Sequence, residues 1–122
     1  MKKLLTLILI AAAAGLCHAQ VQFTADYYKT NPSKYLNKVV TVWVSAAKPS
    51  NFCPLKDYVS YHCFTRFHGK SGGYIYVLVP EKKSRSFFRN YGTPKSGEKP
   101  MKAKFSTLKW SDGTEEYVFI LE

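Results

Sequence analysis

Residues 72–93 read GGYIYVLVPEKKSRSFFRNYGT, and the change of period inside them decides the fold. Over residues 74–79 the pattern repeats every second position: Ile75, Val77 and Val79 share one side, and Tyr74, Tyr76 and Leu78 take the other. Pro80 ends the alternation and suits the first turn of a helix. Glu81 sits at that helix's positive end, and Gly92 with Pro94 stops it. Between these signals Phe87, Phe88 and Tyr91 recur at helical spacing as a narrow apolar stripe. Lys82, Lys83, Arg85 and Arg89 occupy the remaining surface. A strand that leads into one short helix is therefore the centre of the domain.

Upstream, residues 39–46 alternate again, with Val40, Val42 and Val44 opposite Thr41, Trp43 and Ser45. Lys48-Pro49-Ser50-Asn51 ends that strand, and a loop carrying Cys53 and Pro54 leads to a second strand over residues 58–68. Here Val59, Tyr61, Cys63, Thr65 and Phe67 share one side, and residues 69–73 read as a glycine-rich turn. Downstream, a fourth strand over residues 101–110 turns through Ser111-Asp112-Gly113-Thr114 into a fifth over residues 116–121. Asp-Gly between alternating runs is a strong hairpin signal. Ahead of the first strand, Thr24 can cap a helical turn over residues 25–30 that Asn31-Pro32 stops.

Three strands, a helix and two strands is the order of a five-stranded OB barrel, with the helix between strands three and four plugging one end. The fold class expected is thus mainly β; a β-sandwich or an α+β roll is the alternative. KYLNKVVTVWVSA at residues 34–46, GGYIYVLVPEKKSRSFFRNYGT at residues 72–93 and the final hairpin resemble bacterial exported OB-fold proteins of the tRNA-anticodon-binding-like superfamily. The resemblance covers residues 24–122 and rests on topology and spacing. Asn37 stands at a turn where glycine is more usual, and asparagine tolerates the left-handed backbone such a turn needs.

The chain begins MKKLLTLILIAAAAGLCHAQ. Lys2 and Lys3 precede an apolar run from Leu4 to Leu16, and Ala19 closes a Cys17-His18-Ala19 triplet, the pattern of a secretory signal peptide over residues 1–19. At about 13 residues the run is shorter than a spanning helix requires, which disfavours a retained anchor. Leu16 before Cys17 disfavours a lipoprotein, because a lipobox wants a small residue there. The expectation is an exported protein, periplasmic or extracellular, with one domain over residues 20–122 and no transmembrane segment in the mature chain.

Loss of Lys2 and Lys3 takes the formal net charge from +10 to +8. A basic exported chain implies acidic partners, although scattered Lys and Arg also simply keep a small domain soluble. Cys53 and Cys63 remain as an even pair in an oxidising compartment, which reads as a disulfide. The chain-entropy model gives so short a loop roughly 2.5–3 kcal/mol of stabilisation.

Signals for catalysis are poor. His62 and His68 share a strand face about 20 Å apart, too far for one metal ion. Cys63 points away from His62, and no nucleophile elbow, phosphate loop or metal spacing occurs. No enzyme, metal or cofactor is expected.

The informative feature is the outward face of strands two and three, where Tyr58, His62, Phe64, Arg66, Tyr74 and Tyr76 fall opposite the core set Val59, Tyr61, Cys63, Phe67, Ile75 and Val77. An OB fold binds oligonucleotides and oligosaccharides on this face, between the loops beyond strands one and four. Flat rings stack on bases or sugars while cations hold backbone charge. The expected function is non-catalytic binding of an anionic polymer, either oligosaccharide or single-stranded nucleic acid. An envelope protein partner on a dry aromatic interface is the alternative. Equally, the rings could pair across strands for stability alone, or lie beneath the N-terminal segment with its Tyr27, Tyr28 and Tyr35. Lys102 and Lys104 are a further basic strand face to weigh.

Overall fold

The computed structural model describes residues 21–122 apart from residues 52 and 54, so the leader expected over residues 1–19 lies outside the described residues. Two short helices, α1 (Ala25–Thr30) and α2 (Pro32–Tyr35), precede β1 (Val39–Pro49), β2 (Tyr58–Phe67) and β3 (Lys70–Pro80). A 3-10 turn (Glu81–Lys83) and α3 (Ser84–Tyr91) come next, then β4 (Lys99–Lys109) and β5 (Glu115–Ile120). The strands close into a barrel in the order β1-β2-β3-β5-β4, with β4 returning to β1. Every pairing is antiparallel except β3 with β5. This is an OB-like five-stranded barrel carrying its helix between the third and fourth strands.

The inward positions are those the alternation requires. Val42 and Val44 from β1, Tyr61 and Cys63 from β2, and Ile75, Val77 and Val79 from β3 meet Met101, Ala103, Phe105 and Phe119. Each fully buried Val or Phe contributes roughly 1.5–3 kcal/mol. Helix α3 closes one end by inserting Phe87, whose ring centroid lies 4.8 Å from that of Tyr61 and 5.0 Å from that of Tyr91. Phe88, expected on the same stripe, is 46% exposed.

The other end is closed by α1. Tyr28 is buried there against Phe105 and Phe119, at 6.0 and 5.7 Å between ring centroids, and its hydroxyl donates to the Thr41 carbonyl. The Ala25 N–H donates to Thr65 Oγ1 at 2.9 Å. Gly72 and Gly73 make this seating possible, since a Cβ at Gly72 would stand 2.0 Å from Thr24 Cβ and one at Gly73 2.3 Å from Asp26 Oδ1. The N-terminal segment therefore plugs the barrel, and it reaches the edge of the β2–β3 face through Lys29, which lies over Tyr74. Thr24 does hold the N-cap position of α1, but its hydroxyl donates to the Val21 carbonyl and makes no side-chain bond to the helix N-terminus.

Two further expectations are corrected. Strand β3 begins at Lys70, because the turn is not the glycine-rich stretch 69–73 but the two residues His68 and Gly69, both at positive φ (52° and 77°). The register of β2 against β3 also shifts between Phe64 and Arg66. The extra residue lies in β3, where Gly72 and Gly73 together oppose Thr65 and the Thr65 hydroxyl reaches both of their carbonyls. Phe67, expected in the core, instead packs against Phe23 (5.1 Å) and Trp43 (5.3 Å). Asn37 does adopt the left-handed conformation, with φ of 65°.

Candidate binding face

Outside the barrel, β2 and β3 pair His62 with Tyr76 and Phe64 with Tyr74. His62 is the hub: its ring centroid lies 4.5 Å from Tyr74, 5.2 Å from Tyr76 and 5.2 Å from Phe64. Phe64 and Tyr74 stand 6.2 Å apart and are the open part of the group, 38% and 53% exposed. Cross-strand aromatic pairs of this kind stiffen the sheet as well as leaving ring faces available.

Trp110 extends the group. It lies at the base of the β4–β5 turn and meets Tyr76 edge-on at 5.4 Å. The turn below it is ordered by Asp112, whose carboxylate accepts the Thr114 N–H at 2.9 Å and the Thr114 hydroxyl at 2.6 Å. These two donors hold the Asp112 carboxyl below its usual pKa, so it is anionic at neutral pH. Tyr76, Trp110, Asp112 and Glu116 together with Ser50 line a crevice of about 460 Å³ between the two loops that flank the face.

Charge is distributed unevenly along this surface. At the Phe64–Tyr74 end, Lys48 Nζ lies 5.9 Å from the Phe64 ring centre. Lys29 Nζ lies 5.3 Å from the Tyr74 ring centre and donates to the Tyr74 carbonyl at 2.8 Å. Such cations over ring faces are each worth about 0.5–1 kcal/mol where exposed. Asp112 lies at the Trp110 end, whereas Glu116 lines both that crevice and one of about 290 Å³ shared with Lys29, Tyr74 and Tyr76.

The structure thus brings together His62, Phe64, Tyr74 and Tyr76 of the six residues singled out. Tyr58 pairs with Pro80 at the far end of β2, separated from His62 by the buried Ser60–Leu78 pair. Arg66 lies beyond the bulge, where its Nε stands 3.5 Å from Glu98 Oε2. Glu98 also accepts the His68 N–H at 2.7 Å and the Gly69 N–H at 3.1 Å, which lower its pKa, the Gly69 bond foremost. Arg66 belongs to that clamp on the hairpin turn. Sequence reading missed Trp110, Lys29 and Lys48; the position of Trp110 one residue before the Asp-Gly turn was the available signal.

Cys53 and Cys63 are free thiols, so the expected bond is not present in the structure. Strand β1 continues to Pro49, which pairs with Tyr61, so the loop leaves the barrel past the level of Cys63. Cys63 is buried opposite Ala47 and Ile75, while Cys53 Sγ faces the Leu55 carbonyl at 3.5 Å. Lys102 and Lys104 face outward on β4, paired with Thr41 and Val39 and apart from the aromatic group. Among the described residues no three His, Cys, Asp or Glu side chains are grouped to hold a metal ion. Nor is any described helix long and apolar enough to cross a membrane. No protein-family model, curated protein or solved structure matches the chain.

Proposed function

We propose that the protein is an exported, non-catalytic binding module that takes an anionic oligosaccharide on the β2–β3 face. The observation that carries this reading is the joining of five rings, His62, Phe64, Tyr74, Tyr76 and Trp110, into one partly exposed surface flanked by the cations Lys29 and Lys48 and the carboxylates Asp112 and Glu116. Rings stack on the apolar faces of sugars, and carboxylates accept from sugar hydroxyls. Lys29 and Lys48, close to the Tyr74 and Phe64 rings, suit an acidic substituent on the sugar. Single-stranded nucleic acid fits less well, because a phosphate at every nucleotide would bring like charge against Asp112 and Glu116.

Titration with acidic and neutral oligosaccharides and with an oligonucleotide, at low and high salt, tests the reading. The acidic oligosaccharide should bind best. Tyr74→Ala and Tyr76→Ala should each weaken it by about tenfold, the loss set by stacking worth roughly 1–3 kcal/mol per ring. Preference for the oligonucleotide with a steep salt slope would reassign the ligand. Unchanged affinity in folded variants would move the site elsewhere.

A further inference from the structure

Beside the β2–β3 turn, the outer surface of β1, the C-terminal end of α3 and the α3–β4 loop enclose a crevice of about 600 Å³. Its volume is that of a small-molecule site. Trp43 forms the wall on β1, where Phe67 packs against the indole ring at 5.3 Å. Arg89 comes from α3, Lys95 from the loop and Lys99 from the start of β4. Lys99 is positioned rather than loose: its Nζ donates to Asn90 Oδ1 at 3.2 Å and lies 5.4 Å from the Tyr91 ring centre. Glu98 also lines the crevice, but its two oxygens are taken by the His68 and Gly69 N–H groups and its charge is opposed by Arg66. Three cationic residues therefore line the same crevice as an indole, with its carboxylate already hydrogen-bonded.

We propose that this crevice is a second binding site, taking a phosphate or sulfate ester carried on a ring with a face that can stack, whether a base or a sugar. The ring stacks on Trp43, and the guanidinium of Arg89 with the ammonium groups of Lys95 and Lys99 holds the oxyanion. A guanidinium matches a tetrahedral oxyanion with two parallel donors, and a lysine adds a mobile point charge. Neither the aromatic face nor its ligand is needed for this site, because it draws on none of the same side chains.

The chain has two tryptophans, which makes the test direct. In full-length Trp110→Phe protein Trp43 is the sole indole, and its emission reports on the crevice. Adenosine 5′-monophosphate and glucose 6-phosphate are titrated, with inorganic phosphate and glucose as comparisons. At least one ester should give a saturable change at lower concentration than inorganic phosphate, glucose should give none, and the responding ester identifies the ring as base or sugar. Adding Arg89→Gln and Lys95→Gln, both exposed positions, should raise the midpoint by about tenfold or more, while adding Tyr74→Ala should leave it in place. Circular dichroism and the thermal midpoint establish that each variant is folded. The proposal is overturned if neither ester gives a saturable change, if inorganic phosphate matches the esters, or if the Gln variant binds as well as its parent.

Discussion

At the scale of single residues, the two described cysteines occupy opposite environments. Cys63 has no exposed surface, and burial pushes its thiol well above the usual pKa, so little of the reactive thiolate exists near neutral pH. Cys53 is half-buried in the loop between β1 and β2. Treated with a thiol reagent and mapped by peptide mass, the folded protein should label at Cys53 and leave Cys63 untouched until it is unfolded. Absence of label at both, even in denaturant without reductant, would establish the disulfide instead. Gly72 gives a second single-residue prediction. Because a Cβ there would overlap buried Thr24, Gly72→Ala should destabilise the protein by about 1–3 kcal/mol in denaturant unfolding, although alanine ordinarily favours ordered backbone over glycine.

The β2–β3 hairpin shows how elements are held from outside their own sequence. Its turn donates two N–H groups to Glu98, thirty and twenty-nine positions away, and Arg66 completes the clamp. The Glu98 carboxyl is held below its unfolded pKa of about 4.5, so the clamp's contribution to stability is complete above that value. It is lost as pH falls through the lower folded value. Glu98→Gln should therefore lower the urea midpoint at neutral pH, and the gap from wild type should close as acidification protonates Glu98 in the folded protein. A gap that persists unchanged in acid would mean that the charge on Glu98 is not what the turn uses. The same hairpin marks where the sequence was legible and where it was not. Period-two alternation was enough to place His62, Phe64, Tyr74 and Tyr76 together and to put Tyr61, Cys63, Ile75 and Val77 inside. It could not show that Phe67 packs on Phe23 and Trp43 or that Arg66 meets Glu98, because those partners come from distant segments. The bulge itself lies in β3, at Gly72 and Gly73 opposite Thr65. Gly72 and Gly73 resembled turn residues, yet they admit the Thr24–Asp26 segment, a contact visible only once the chain is folded. The crevice at Trp43 was likewise illegible, since its cations come from a helix end, a loop and a strand.

Across the whole molecule, the barrel is closed at its two ends by aromatic side chains from separate segments, Tyr28 from α1 and Phe87 from α3. Tyr28→Ala should cost about 3–5 kcal/mol in equilibrium unfolding, the range for deleting a buried aromatic ring. Phe88→Ala, at an exposed position on α3, should cost far less; equal losses would show that α1 does not plug the barrel. Closure around the circumference is less even. Six residue pairs join β1 to β4, but β3 and β5 meet in parallel at three: Tyr76 with Val118, Val77 with Phe119 and Leu78 with Ile120. Parallel pairing is slightly weaker per residue than antiparallel, so this short seam is where the cylinder has least to lose by parting. Tyr76 stands on one lip of the seam, and Trp110 reaches it from the turn that leads into the other. A sugar chain lying across both would work as a stitch. Ligand would then slow amide exchange at Val118, Phe119 and Ile120, and the shape of the empty protein would be a little looser than that of the loaded one.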